Sequence, residues 1–146
     1  MNSSANTHSP APLELKFTSD PNHLAPARHG VEALAKAAGF DQAACNEIGL
    51  SVNEALANVI RHAYHDDPSR PIQLSARADA HEIEVIIRDW GSGQSPANIP
   101  SKLPGIATPG GLGLVCIRKL MDVVDYQPQP DGMRLVLIRR KHRGRA

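Results

Sequence analysis

Glu54 and Asn58 stand one helical turn apart within Ser51-Val-Asn-Glu-Ala-Leu-Ala-Asn-Val-Ile-Arg-His-Ala-Tyr64, and two glycine-rich segments follow them. In the first, Asp89 closes an apolar run and is followed by Gly91 and Gly93; in the second, Gly110-Gly-Leu-Gly113 opens another apolar stretch. Mg²⁺ prefers oxygen ligands and usually keeps several waters beside substrate phosphates, so Asn58 could supply one neutral oxygen without adding charge near a triphosphate. Glu54 could accept the proton of an attacking hydroxyl. An acid, an amide and two pliable backbone segments are the parts needed to hold a purine nucleotide with its metal.

Asp89 could accept a hydrogen bond from the exocyclic amine of adenine. Guanine presents a carbonyl there, and the unpaired acceptors would cost roughly 1–3 kcal/mol. Gly91 and Gly93 let the backbone approach a flat base. Successive N–H groups at Gly110, Gly111 and Gly113, at the start of a helix, make an anion site. No GxxxxGK[ST] is present and no strand directly precedes a GxGxxG, so neither a P-loop nor a Rossmann site is indicated. Each segment alone also has an ordinary structural reading, as an amphipathic helix, a strand-ending turn and a helix-capping loop.

The elements must place these residues together. Leu13–Ser19 alternates apolar and polar, as a half-buried strand does. Ser19-Asp20-Pro21 starts a helix that stops at Gly39, and Asp41 caps a second helix running to about Tyr64. On a wheel of about 100° per residue, Asn58, Ser51 and His62 fall within about 80° of Glu54, while Val52, Ala55, Leu56, Val59, Ile60 and Ala63 fill the opposite arc. His62 fits equally well as a structural hydrogen-bonding residue at the helix end. Residues 72–77 and 82–88 read as strands, with Ile83, Val85 and Ile87 facing inward. From Gly91 to Gly113 runs a Gly/Pro/Ser/Thr-rich stretch of roughly twenty residues, a length that usually marks a lid or binding loop. A helix over 112–124 and a strand over 133–140 finish the chain. The order β-α-α-β-β-α-β predicts helices layered on one face of a mostly antiparallel sheet.

At 146 residues the chain fits one domain, and a formal charge of +1 creates no field that favours nucleic acid or membrane. The basic run Arg139-Arg-Lys-His-Arg-Gly-Arg145 reads as a solvated tail without an aromatic to stack on a base. Cys45 and Cys116 read as buried free thiols. Residues 1–12 are polar and read as a disordered lead, residues 13–140 as the folded domain and 141–146 as tail. Neither a signal peptide nor a membrane span is expected, which points to a cytoplasmic protein.

Taken together, the three segments resemble the GHKL (Bergerat-type) ATP-binding fold, an α/β fold in which a two-layer α/β sandwich carries a mixed, mostly antiparallel sheet. Glu54-x-x-x-Asn58 is similar to its N box, Asp89-x-Gly-x-Gly93 to its first glycine box and Gly111-x-Gly113 to its second. Within that fold, Asn53–Tyr64 and Gly111–Asp122 are most similar to the stand-alone RsbW/SpoIIAB-like anti-sigma-factor serine kinases. The resemblance implies ATP and Mg²⁺ as cofactors, Asn58 as the magnesium ligand and Glu54 as the general base. It makes Asp89 the adenine-reading acid, with Gly91 and Gly93 beside it, and adds Thr108, Gly110, Gly111, Leu112, Gly113 and Leu114 as nucleotide contacts. It also implies a homodimer that binds a sigma factor and phosphorylates a serine of a STAS-type anti-anti-sigma protein. A switch kinase of a STAS regulator without a sigma factor, or a non-catalytic ATP-binding sequestering module, would fit the same motifs. Two departures stand out: Gly132 is followed by Met133 where many relatives have Thr, and the lid carries one lysine, Lys102, which leaves the phosphates to backbone groups and Arg118.

Overall fold

A computed structural model of the chain describes residues 9–92 and 117–142. Strand β1 (Leu13–Thr18) leads through a 3₁₀ turn (Pro21–His23) into helix α1 (Leu24–Ala37); helix α2 (Gln42–Asn58) continues as a π turn (Val59–Ala63). Strands β2 (Pro71–Ala78), β3 (Glu82–Asp89), β4 (Val123–Gln129) and β5 (Gly132–Arg140) follow. The five strands form one sheet in the order β1-β2-β3-β5-β4, and all its described pairings are antiparallel.

Local chemistry sets the helix starts. The Asp20 carboxylate accepts from the Asn22 N–H and the Asp41 carboxylate from the Ala44 N–H, each at 2.8 Å, satisfying N–H groups that have no partner inside the helix. The helices cover one face of the sheet. Val31, Ala35, Ile48, Val52 and Leu56 meet Leu74, Ile83, Val85, Ile87 and Leu137, all at or below 1% exposure. Truncating one such large aliphatic side chain to Ala costs about 2–5 kcal/mol, so this contact fixes where α2 lies on the sheet. The Glu32 side chain of α1 lies over Gly49 of α2, where any Cβ would collide with it.

Two sequence expectations change. The chain between residues 117 and 140 holds an additional strand: residues 117–120 are helical, but β4 begins at Val123, inside the span expected to be helix. The Asp122 N–H donates to the Ile138 carbonyl and its carboxylate accepts from the Arg140 N–H, so pairing with β5 overrides the helical pattern. Pro128 is tolerated because β4 is the sheet edge. The basic run is also not simply a tail. Arg139 lies in β5, only 9% exposed, and its Nη1 donates to the Glu47 carboxylate at 2.9 Å and to the Leu120 carbonyl at 3.0 Å. Lys141 Nζ donates to the Ala38 carbonyl at the end of α1 and lies 5.4 Å from the Phe40 ring centroid. Cys45 is a buried free thiol, as expected.

Candidate functional site

Period-two alternation on β3 delivers Asp89 to the helix side of the sheet. Ile83, Val85 and Ile87 point inward, and Asp89 extends that row with 4% of its surface exposed. It pairs across the sheet with Ile72 on one side and Met133 on the other. This apolar setting raises the Asp89 pKa through desolvation, opposed by hydrogen bonds from the Gly91 and Met133 N–H groups and by Arg88 and Arg70. The Gly91 N–H donates to Oδ1 at 2.9 Å.

The strand end is tied to the end of α2. The Tyr64 hydroxyl accepts from the Trp90 N–H at 2.8 Å and donates to the Pro71 carbonyl at 2.5 Å. Burial raises the pKa of this hydroxyl, which keeps it a phenol able to play both parts. Gly91 lies against Ala63 of the π turn so closely that a Cβ there would meet the Ala63 carbonyl and approach its Cβ to 2.6 Å. Arg70 stacks on the Tyr64 ring at 4.6 Å and donates to the Trp90 carbonyl at 3.0 Å. Arg88 stacks on the Trp90 ring at 4.5 Å and pairs with Asp131 at 2.5 Å. Beyond Tyr64 the chain leaves sharply, with His65 and Asp66 at φ of 51° and 66°.

On α2 the wheel holds in part. Glu54 is half-buried, and its carboxylate has no hydrogen-bond or ion-pair partner among the described residues. Asn58 is buried at 2% exposure; its Oδ1 accepts from Arg61 Nη2 at 3.2 Å, and its Nδ2 has no partner among the described residues. Ser51, expected on the same polar side, is fully buried and donates to the Glu47 carbonyl at 3.0 Å. It is an internal helix group at the edge of the apolar arc. His62 is half-buried with Nε2 unpartnered among the described residues, and desolvation followed by the nearby Arg61 charge lowers its pKa. Arg118 is exposed, with its guanidinium 5.9 Å from the Tyr126 ring centroid.

The structure therefore ties the strand end carrying Asp89 and Gly91 to the π turn that follows Asn58, with Glu54 one helical turn before Asn58. Gly93, Thr108, Gly110, Gly111, Leu112, Gly113 and Leu114 lie outside the described residues, as do Lys102 and Cys116. No sequence pattern singles out the tethering residues Tyr64, Arg70 and Arg88, beyond an aromatic that ends a polar-faced helix. Among the described residues no group of three or more His, Cys, Asp or Glu could enclose a metal. That excludes an all-protein cage there, whereas one buried neutral carboxamide oxygen fits a magnesium ion whose other ligands are phosphate and water. No described helix is long and apolar enough to cross a membrane.

Comparisons with known proteins bear on the family and the fold. The family model described as histidine kinase-like ATPase domain matches residues 17–139. A serine-protein kinase RsbW from Oceanobacillus iheyensis is 28% identical over 125 residues, covering 80% of this chain and 79% of that protein. An anti-sigma F factor from Anoxybacillus flavithermus is 29% identical over 106 residues, covering 68% and 72%. In fold, the chain is similar to the RsbU and RsbW domains of a Mycobacterium tuberculosis protein, with a TM-score of 0.63 and 16% identity; it spans 90% of this chain but only 32% of that one.

Proposed function

The chain belongs to the histidine kinase-like ATPase domain family and is similar over most of its length to serine-protein kinases, and on that footing we propose that it is an ATP-dependent protein-serine kinase of anti-sigma-factor type. Its substrates are ATP and a serine on a STAS-type anti-anti-sigma protein. Its second partner is a sigma factor, and it works as a cytoplasmic homodimer without direct contact to nucleic acid or membrane.

The observation that carries the reading is the tether between α2 and β3. It joins a buried acid suited to an adenine amine to a helix bearing a free carboxylate and a buried carboxamide. Asp89 accepts from the adenine amine, and Gly91 and Gly93 admit the base. Asn58 would hold Mg²⁺ through its carboxamide oxygen, and the ion when bound would supply charge neutralisation at the phosphates. The backbone of Gly110, Gly111 and Gly113, with Thr108, Leu112 and Leu114, contacts the nucleotide. Glu54 takes the proton of the serine hydroxyl as its oxygen bonds to the γ-phosphorus and ADP departs. Catalysis is positioning plus charge neutralisation.

The test is incubation with ATP, Mg²⁺ and a candidate STAS protein, followed by phosphosite mapping. Phosphoserine that disappears in Glu54→Ala supports the kinase. ATP binding without transfer to any partner points instead to a sequestering module. Co-purification from the native host, read by mass spectrometry, then shows whether a sigma factor is present.

A further inference from the structure

The end of α2 holds a polar group of an unusual kind. Asn58 Oδ1 accepts from Arg61 Nη2 at 3.2 Å, the long end of hydrogen-bond geometry. Around that one contact, Asn58 Nδ2, Arg61 Nε and His62 Nε2 are all buried without partners among the described residues. A network built only to stabilise a fold has its buried donors satisfied. This one is met at a single point. It also straddles the start of the π turn Val59–Ala63, and such turns interrupt helices frequently at functional sites.

The oxygen that Arg61 holds is the one the proposed function gives to magnesium. Two cations on one carboxamide oxygen would repel at close range, and half-buried surroundings screen that repulsion less than bulk water does. A single long hydrogen bond offsets little of it. We propose that Arg61 and magnesium compete for the carboxamide oxygen of Asn58, so that Arg61 sets how much magnesium the site needs before it takes up a triphosphate. Arg61 then acts as a positioning residue: it holds Asn58 while magnesium is scarce and gives up the carboxamide oxygen when magnesium is abundant. The proposal rests on the reading of Asn58 as the magnesium ligand.

The test is a magnesium titration of ATP binding, followed by calorimetry, on the full chain and on Arg61→Ala. Competition predicts that the magnesium concentration giving half-saturation falls about threefold to tenfold in Arg61→Ala, the equivalent of one modest hydrogen bond. If Arg61→Ala fails to fold, Arg61→Met keeps the aliphatic stem, removes the charge and predicts the same fall. An unchanged or increased magnesium requirement in a folded variant overturns this inference alone. A wild-type chain that takes up no ATP at any magnesium concentration overturns both it and the kinase reading.

Discussion

The Tyr64 hydroxyl accepts from the Trp90 N–H at 2.8 Å, so the helix carrying Glu54 and Asn58 is fastened to the strand end carrying Asp89 by one phenol. The same hydroxyl donates to the Pro71 carbonyl, which makes it the junction of α2, β2 and β3. Tyr64→Phe keeps the buried ring and deletes the junction, leaving a part-buried N–H without its partner. We expect destabilisation of about 1–3 kcal/mol in urea unfolding. ATP affinity should fall as well, because the two halves of the site lose their common anchor. Wild-type affinity in a folded Tyr64→Phe protein would show that the tether does not position the site.

Gly91 offers an independent probe of the same joint. A Cβ there meets backbone of the π turn, which cannot swing aside as a side chain does. Gly91→Ala should cost about 1–3 kcal/mol and weaken ATP binding. Gly30→Ala is the control: its Cβ would sit 3.3 Å from the flexible Leu13 Cδ2, and we expect a stability change under about 1 kcal/mol. Thermal unfolding of the two variants beside wild type decides; equal effects would remove the special role given to the Gly91 contact.

How far the sequence could be read depended on what each signal measures. Ile83, Val85 and Ile87 announce an inward row by alternation alone, and the structure extends that row to Asp89 because strand pairing obeys the same period. Ile48, Val52 and Leu56 announce the buried face of α2 by their four-residue spacing. β4 was not legible, because Val123–Gln129 contains a proline and follows a helical pattern, and only its register against β5 makes it a strand. Ser51 was misplaced because a wheel says which side a residue is on and not how wide the buried arc is. Arg139 reads both as the end of a strand and as the start of a charged tail, because the charge pattern contains no information about Glu47, far away in sequence. The roles of Glu54, Asn58 and Asp89 came from motif chemistry, while the groups that hold them together, Tyr64, Arg70 and Arg88, are tertiary and had no pattern to betray them.

Burial of Asp89 makes a pH prediction whose sign can be fixed. Its folded-state pKa is raised, so the native protein holds a proton that the unfolded chain has already released as pH climbs past the ordinary carboxylate value. The Asp89 contribution is therefore favourable below that value and is lost as pH rises toward the folded pKa. Asp89→Asn carries no such charge and should gain stability relative to wild type between acid and neutral pH, in urea unfolding at several pH values. The same substitution leaves one acceptor oxygen, and with that oxygen held by the Gly91 N–H a donor NH₂ faces the adenine amine, so ATP binding at neutral pH should drop by at least tenfold. A difference between the two proteins that does not vary with pH would mean that the buried carboxyl is not the titrating group.

Glu54 and Asn58 are one turn apart but should fail in different ways, and the contrast separates chemistry from binding. Glu54 is half-buried and has no partner among the described residues, so Glu54→Gln removes a proton acceptor and little else. Phosphoryl transfer to a STAS partner should fall about 10²- to 10⁴-fold, with ATP affinity in magnesium within about twofold of wild type. Asn58 is buried and bonded to Arg61, so Asn58→Ala removes the neutral oxygen and also frees the guanidinium. Its signature should be in binding: the gain in ATP affinity that magnesium brings to wild type should largely disappear, while transfer falls in proportion to occupancy. Calorimetry with and without magnesium, set beside single-turnover transfer for both variants, measures the split. If Glu54→Gln lost ATP binding as fully as Asn58→Ala, the carboxylate would be a ligand-holding group, and the base would have to be sought elsewhere in the chain.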